Sequence, residues 1–266
     1  MVVGSLVLNT MNDRIQKIDK FSTNPANLIM DVENLNAWYG AAQIIFNINL
    51  HISAGEVVAL MGRNGAGKST TLRTLMGMMP RRSGRVTFLG NSIGELQPFQ
   101  IARQGLGFVP EDRRIFTDLT VLENLNIGRQ PSRQFPNADP APFWSLEDIF
   151  SLFPNLASIS DRLASEMSGG EQQMLAIART LMGNPLAILL DEPSEGIAPV
   201  IVEKIGEMIL KLKSKGVSII LSEQNLHFAS WVCDRAYILE KGEIQYSAPM
   251  NELLENKEVM LKYLGI

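Results

Sequence analysis

Short apolar segments with the length of strands recur along the chain, and segments with helical periodicity lie between them. Residues 28–35 and 43–52 predict two strands, with a turn around Tyr39 and Gly40. Residues 56–61 predict a short buried strand that leads through glycines into a helix over residues 67–76. The pattern therefore predicts strands at the start of the chain, followed by a strand–loop–helix unit.

The rest of the chain alternates between the two kinds of segment. Further strands are predicted at residues 85–89, 107–110, 186–190, 217–221, 236–239 and 243–246. Further helices are predicted at residues 121–129, 144–153, 170–181, 200–213, 225–233 and 251–264. Strands that alternate with helices indicate a parallel sheet covered by helices, and the wholly apolar segment 186–190 is typical of a central strand.

Two parts of the chain depart from this alternation. Residues 1–27 include an apolar run with no basic region before it and no cleavage site after it, so we interpret them as an N-terminal extension, not a secretory signal. Residues from about 97 to 184 are mainly helical and contain a proline-rich linker. We therefore predict a helical subdomain at about 97–184 inside an α/β domain that spans residues 28–266.

Composition limits the class of protein. The chain has 266 residues, 45% of them hydrophobic, with a net charge of -4 and one cysteine. This excludes a strongly basic nucleic-acid binder and an internal disulfide framework. No uncharged apolar stretch approaches the roughly 20 residues that a membrane helix needs. The apolar content must be buried in a core or used against a partner.

A glycine-rich motif follows the buried strand at residues 56–61. It consists of Gly62, Arg63, Asn64, Gly65, Ala66, Gly67, Lys68, Ser69 and Thr70 and fits the pattern G-x-x-x-x-G-K-[ST]. Glycines let the backbone turn its N–H groups towards an anion, and the helix that follows adds its dipole. We expect Lys68 to reach the β- and γ-phosphates of a nucleotide and Ser69 to coordinate Mg²⁺.

A second acidic element comes after the apolar strand at residues 186–190. Asp191 and Glu192 follow that strand directly, at the edge of a parallel sheet where ligands bind. Phosphoryl transfer needs a carboxylate near Mg²⁺, which we assign to Asp191. Glu192 is the candidate general base or water-orienting group.

A third motif provides the family resemblance. Its residues are Ser168, Gly169, Gly170, Glu171, Gln172 and Gln173, which we call the signature segment. The segment resembles the signature motif of ATP-binding cassette (ABC) proteins. Together with the two elements above, it extends the resemblance to that family over roughly residues 28–266. The start of a helix with a hydroxyl group and bare N–H groups is an anion site. In that family the signature of one subunit closes on the nucleotide held by another, so the resemblance implies a head-to-tail pair. Ser168 also acts as an ordinary helix cap.

The resemblance implies further roles. Tyr39 matches the aromatic residue that stacks on adenine, although a core or hairpin aromatic is an equal alternative. Glu111 stands where the family has a glutamine, Gln224 where it has a switch histidine, and Ala198 where it has an aspartate. These variants resemble the ATPases of branched-chain amino acid importers, with urea and short-chain amide importers as relatives. Gln224 can donate a hydrogen bond to a γ-phosphate but carries no charge.

The implied protein is the ATP-hydrolysing subunit of an ABC importer for branched-chain amino acids, with ATP and Mg²⁺ as cofactors. The implied fold is that of a P-loop ABC ATPase: a parallel-sheet core, an N-terminal antiparallel β-subdomain and an α-helical subdomain. The implied partners are transmembrane permeases, a second ATPase subunit and, indirectly, a periplasmic binding protein, with no nucleic acid. The implied location is the cytoplasmic side of the inner membrane. A soluble ABC ATPase without transport and a regulator without hydrolysis remain the alternatives.

Several other residues receive structural interpretations. His51 and His227 have no cysteine or histidine neighbour in sequence, so we expect structural histidines. The pairs Arg81–Arg82 and Arg113–Arg114 are interpreted as solvated or partner-facing charge. The apolar segments 142–144 and 150–153 fit either the core or a surface that meets a membrane subunit.

Overall fold

The computed structural model describes residues 27–132 and 142–265. Residues 1–26 of the predicted extension and part of the proline-rich linker lie outside this range. The strands of the described residues are β1 (Leu28–Tyr39), β2 (Ala42–Ser53), β3 (Val57–Met61), β4 (Arg81–Phe88), β5 (Asn91–Ser92), β6 (Leu106–Val109), β7 (Ala187–Asp191), β8 (Ser218–Glu223), β9 (Arg235–Glu240) and β10 (Glu243–Pro249).

The first of the two sheets has four antiparallel strands in the order β2-β1-β4-β5. Tyr39 pairs with Ala42 across a two-residue turn, in which Gly40 has a φ of 57°. Strand β4 begins at Arg81, not at residue 85 as predicted, because Arg81 pairs with Trp38. Its first residues are polar and lack strand periodicity, so the alternation rule missed them.

The second sheet has the order β10-β9-β3-β8-β7-β6 and is parallel from β9 to β6. Only β10 runs antiparallel to its neighbour. The neighbouring strands β3, β8 and β7 end at Met61, Glu223 and Asp191. Because their carboxyl ends meet at one edge, three separate parts of the chain converge there.

Alternating residues of the parallel strands enter two different hydrophobic cores. Val57, Ala59 and Met61 of β3 belong to one core. Val58 and Leu60 belong to the other, which also contains the antiparallel sheet. Successive side chains of a strand point to opposite faces, so a strand buried on both faces must be apolar at every position. This explains why β3 reads as an uninterrupted apolar run.

Helices cover both faces of the parallel sheet and form a cluster beside it. They are α1 (Lys68–Leu75), α2 (Pro98–Arg103), α3 (Val121–Gly128), α4 (Leu146–Leu152), α5 (Pro154–Ala157), α6 (Gly169–Leu181), α7 (Pro199–Ser214), α8 (Leu226–Val232), α9 (Met250–Glu255) and α10 (Lys257–Val259), with a 3₁₀ turn at Ala164–Glu166 and a π-helical turn at Met260–Leu264. None of the described helices is long and apolar enough to cross a membrane.

The prediction of one continuous C-terminal helix over residues 251–264 is wrong. Asn256 has a φ of -90° and a ψ of 79°, which ends α9, and its side chain accepts a hydrogen bond from the backbone N–H of Val259. Asparagine caps a helix in this way and competes with its interior conformation. The apolar periodicity of the segment continues across this break and conceals it.

The strand predicted at residues 107–110, inside the predicted helical subdomain, is confirmed as β6. It pairs with β7 in the parallel sheet. Beyond β6, Thr120 and Ser145 begin α3 and α4 with reciprocal capping boxes. Trp144 and Phe153 are buried in the core, whereas Phe143 is 53% exposed. For Trp144 and Phe153 the core interpretation is therefore correct.

Candidate active site

The glycine-rich loop lies between β3 and α1, at the edge where the parallel strands end. Gly67 has a φ of 109° and forms the N-cap of α1, where no side chain caps the helix. A side chain at Gly62 would collide with the carbonyl group of Leu239. Glycine is therefore required at both positions, and the first N–H groups of α1 carry no side-chain cap. This is the arrangement that the motif predicts for anion binding.

Lys68 lies at the start of α1 and is 3% exposed. Its Nζ donates hydrogen bonds to the carbonyl oxygens of Gly62 at 2.8 Å and Arg63 at 3.3 Å. It also lies 3.0 Å from Oε1 of Glu192 in a buried ion pair. The structure thus joins the glycine-rich loop to the acidic pair after β7.

Asp191 ends β7 with its side chain fully buried. Its Oδ1 accepts hydrogen bonds from the hydroxyl groups of Ser69 at 2.9 Å and Ser222 at 2.6 Å, whereas its buried Oδ2 has no hydrogen-bond partner. Burial raises the pKa of Asp191, and the two hydroxyl groups oppose this change. An unpaired buried carboxylate oxygen is costly, so this atom fits a divalent cation held jointly with the Ser69 hydroxyl.

Glu192 begins the segment after β7 with a φ of 45°, in the left-handed region. Its backbone N–H donates to Oγ of Ser222 at 3.0 Å, and its Oε2 accepts from Nε2 of Gln224 at 3.0 Å. Burial raises the pKa of Glu192, but hydrogen bonds with Glu195, Lys68 and Gln224 lower it by more, to below its ordinary value. The carboxylate is therefore kept ionised, as a general base must be.

Gln224 follows β8 and links the loop to the acidic pair. Its Nε2 donates to Oδ1 of Asn64 at 2.6 Å as well as to Glu192. Its backbone N–H donates to Oε2 of the buried Glu223 at 3.0 Å, and Ser194 also hydrogen-bonds to that carboxylate. Burial raises the pKa of Glu223. Glu223 thus acts as a buried anchor for the segments that carry Glu192 and Gln224.

Sequence reasoning did not assign a role to Glu195. Its hydrogen bond with Glu192, the charge of that residue, partial burial and the charge of Glu111 together raise its pKa to about 7. Glu111 is exposed and lies near enough for its charge to act on the Glu195 carboxyl group. No sequence signal distinguishes Glu195 from other acidic loop residues, because its properties depend on a carboxylate three positions away that is itself buried.

The signature segment forms the start of α6. Ser168 caps α6: its Oγ accepts from the N–H of Glu171 at 3.3 Å, and its own N–H donates to Oε2 of Glu171 at 2.8 Å. Gly170 packs against Ile201 at the start of α7, and a side chain at this position would crowd it. The side-chain hydrogen bonds of the capping box join Ser168 and Glu171 to each other. The capping prediction for Ser168 is confirmed.

The remaining predicted residues differ in their surroundings. Tyr39 ends β1 at the hairpin tip and is 48% exposed. The carbonyl of Thr70 accepts a hydrogen bond from Oγ1 of Thr74 inside α1. The N–H of Ala66 donates to the carbonyl of Arg63, within the loop. Arg63 itself is exposed, with its guanidinium group beside Gly265.

Some structural interpretations need correction. Arg82 is not solvated charge, because its guanidinium group donates to the carbonyl oxygens of Gly94, Gly77, Met79 and Leu96. Arg81 lies 4.7 Å from the ring centre of Trp38 in a cation–π contact.

His51 contacts Tyr237 through its backbone and its ring. The described residues contain no group of three His, Cys, Asp or Glu side chains placed to hold a metal ion.

Comparison with known proteins identifies the family. A family model described as ABC transporter matches residues 45–195, which is more than half of the chain. The chain belongs to the ABC transporter family. The match contains both the glycine-rich loop and the acidic pair, and it extends through the signature segment. The protein is therefore an ABC ATPase, which binds and hydrolyses ATP.

Individual relatives extend the similarity to nearly the whole cassette. The high-affinity branched-chain amino acid transport ATP-binding protein BraG of Pseudomonas aeruginosa is 40% identical, over 89% of this chain and 100% of the relative. The lipopolysaccharide export system ATP-binding protein LptB of Haemophilus influenzae is 32% identical, over 89% and 97%. A nucleotide-free ATP-binding cassette from an ABC transporter superposes with a TM-score of 0.73 and 27% identity, over 88% and 97%. The predicted P-loop ABC ATPase fold is confirmed.

Proposed function

We propose that this ABC ATPase energises the uptake of branched-chain amino acids by a membrane importer. The observation that carries the proposal is the 40% identity with a branched-chain amino acid transport protein over the full length of that relative. The substitutions Glu111, Gln224 and Ala198, which the importer subfamily shares, support the same assignment.

The proposed catalytic roles follow from the contacts at the edge of the parallel sheet. Lys68 and the free N–H groups at the start of α1 bind the phosphates. Ser69 and Asp191 would hold Mg²⁺, which neutralises charge on the phosphate oxygens when bound. Glu192 accepts the proton of the attacking water as a new P–O bond forms and the bond to the ADP oxygen breaks. Gln224 donates a hydrogen bond to the γ-phosphate.

The assembly around these residues is also a proposal. Two ATPase subunits pair head to tail, and the residues Ser168, Gly169, Gly170 and Glu171 of each contact the nucleotide held by the other. Tyr39, which is 48% exposed at the tip of the β1–β2 hairpin, would stack on adenine. Transmembrane permeases and a periplasmic binding protein complete the importer, with this subunit peripheral on the cytoplasmic face of the inner membrane.

A second candidate is supported by the similarity to LptB, whose name assigns it to lipopolysaccharide export. The lower identity, 32% against 40%, places this candidate after the importer. Urea and short-chain amides are further candidate cargoes, and only the sequence resemblance suggests them. A soluble ABC ATPase without transport stays the alternative to any transport role.

Uptake measurements in the native host test the proposal. The gene is deleted and restored either as the natural sequence or as Glu192→Gln, and the entry of labelled leucine, isoleucine, valine, urea and acetamide is measured. We expect loss of branched-chain amino acid uptake, restored by the natural sequence alone. Normal uptake of these amino acids with a defect in urea entry, amide entry or surface lipopolysaccharide would contradict the proposed cargo.

A further inference from the structure

Arg113 lies in the segment after β6 and is fixed by its backbone. It adopts a φ of 61°, and its N–H donates to the carbonyl of Pro110 at 2.9 Å. The guanidinium group of Arg179, on α6, donates to the carbonyl oxygens of Arg113 at 3.4 Å and Arg114 at 2.6 Å. The helix that carries the signature segment therefore holds the backbone from which Arg113 extends.

The side chain of Arg113 lies against the signature segment. A Cβ atom at Gly169 would meet its Nη1 at 3.2 Å and its Nη2 at 3.4 Å, so the guanidinium group packs directly against this glycine. Its Nε donates to Oε1 of Gln173 at 3.3 Å, and its Nη1 donates to Oε1 of Gln172 at 3.4 Å. The recorded side-chain partners of Arg113 are thus neutral amides, and its positive charge is not cancelled by a carboxylate among them.

The net charge of the signature segment depends on the guanidinium group of Arg113. Ser168 is neutral, and Glu171 places a carboxylate in the first turn of α6. The helix dipole contributes only about half a positive charge at this end. Without Arg113 the segment would carry net negative charge where it has to meet a triphosphate. The guanidinium group reverses that balance.

We propose that Arg113 supplies the signature segment with the positive charge by which it binds the triphosphate held by a second subunit. This inference rests on the head-to-tail pairing in the proposed function. Arg113 would thereby offset the loss of a cation at position 224, where glutamine is neutral. Arg113 would promote the closure of two subunits around ATP, and it would not change the affinity of a single subunit for ATP.

The test uses Glu192→Gln protein, in which slow turnover preserves bound ATP, and measures ATP-driven dimerisation by light scattering. Three variants are added to this background: Arg113→Gln, which retains a polar side chain without charge, Arg113→Lys, which retains the charge, and Arg114→Gln. Arg114 is the matched control because its exposed side chain pairs with Asp112 in the same segment. Thermal unfolding of each nucleotide-free variant checks that the fold is unchanged.

Arg113→Gln is expected to raise the ATP concentration for half-maximal dimerisation about tenfold, the effect of losing one charge near a phosphate. Arg113→Lys should recover most of this loss, and Arg114→Gln should match the background. Normal dimerisation of Arg113→Gln, or equal defects in the Gln and Lys variants, would overturn the inference and leave the pairing intact. Failure of the Glu192→Gln background itself to dimerise would overturn the pairing, and with it the inference.

Discussion

The ammonium nitrogen of Lys68 lies 3.0 Å from Oε1 of Glu192, and both side chains are buried. Together with the carbonyl groups of Gly62 and Arg63, Glu192 gives Lys68 three acceptors. An ammonium group has three donors, and these three acceptors use all of them. Lys68 can contact a phosphate only by giving up one of these partners. The proposed phosphate-binding group and the proposed general base are therefore ion-pair partners of each other.

The Lys68–Glu192 pair should be energetically coupled in the nucleotide-free protein. Lys68→Met leaves a buried carboxylate without its cation, which is strongly destabilising, and Glu192→Gln in the same chain should relieve part of that cost. A double-mutant cycle on the free energy of unfolding by urea should give a coupling of about 0.5–3 kcal/mol. The exposed pair Arg85–Glu33 is the control, and its coupling should be close to the experimental error. Additive effects of Lys68→Met and Glu192→Gln would contradict the contact.

Ser222 should influence Mg²⁺ binding without contacting the ion. Its hydroxyl group orients Oδ1 of Asp191 at 2.6 Å and leaves Oδ2 for the cation. Ser222→Ala is expected to raise the Mg²⁺ concentration for half-maximal ATPase activity about tenfold, as outer-shell changes do. Asp191→Asn should raise it further. Ser214→Ala, an exposed serine that bonds only within its own helix, is the control and should change nothing.

An unchanged Mg²⁺ titration in Ser222→Ala would show that Asp191 is held without that hydroxyl group. Activity that persists in excess chelator would contradict the assignment of Ser69 and Asp191 to Mg²⁺.

Glu195 should make the stability of the nucleotide-free protein depend on pH. Its pKa rises from an ordinary 4.5 to about 7, so the folded protein holds a proton that the unfolded chain releases. The stabilisation is complete below about pH 4.5 and is lost as the pH rises through about 7. Glu195→Gln cannot titrate and should flatten the fall in melting temperature between pH 5 and 7.5.

The buried carboxyl groups of Asp191 and Glu223 are present in both proteins, so the difference between the two curves isolates Glu195. The lowered pKa of Glu192 acts below this pH window. Parallel curves for Glu195→Gln and the natural sequence would disprove the proton shared between the two carboxyls.

Gln224 should act on turnover more than on ATP binding. Its amide is held between Asn64 and Glu192, so Gln224→Ala removes a donor and loosens the general base. We expect kcat to fall by roughly 10- to 100-fold with a small change in KM. Gln224→His restores a donor and, when protonated, a charge, so it should retain at least half of the natural kcat. A large rise in KM with unchanged kcat would assign Gln224 to ground-state binding.

The parts of the site that the sequence predicted are those encoded in short segments. The glycine-rich loop and the pair Asp191–Glu192 each follow an apolar strand, so their position at the sheet edge follows from local pattern and topology. The residues that complete the site lie far away in sequence. Ser222 reaches Asp191 from β8, and Arg113 reaches the signature segment from the segment after β6. The periodicity of the sequence cannot predict such contacts, because they form only when distant segments pack together.

The errors in secondary structure have a similar origin. The apolar periodicity shows which face of a segment is buried. It continues on both sides of the break at Asn256 and therefore predicted one helix where the structure has a break. Charge was also misleading at Arg82, because a guanidinium group can be satisfied by backbone carbonyls instead of water. In each case a local polar contact overrides the pattern, and the contact is visible only in the folded chain.

The central claim is that Glu192 activates water at a site built for ATP, and Glu192→Gln tests it most directly. The glutamine is nearly isosteric and can still hydrogen-bond to Lys68 and Gln224, but it cannot take up a proton. ATP binding by the purified protein, measured by equilibrium titration, should change less than about threefold, while kcat should fall by roughly 100- to 10,000-fold. ATPase activity near that of the natural sequence in this variant would contradict the role of Glu192 as general base.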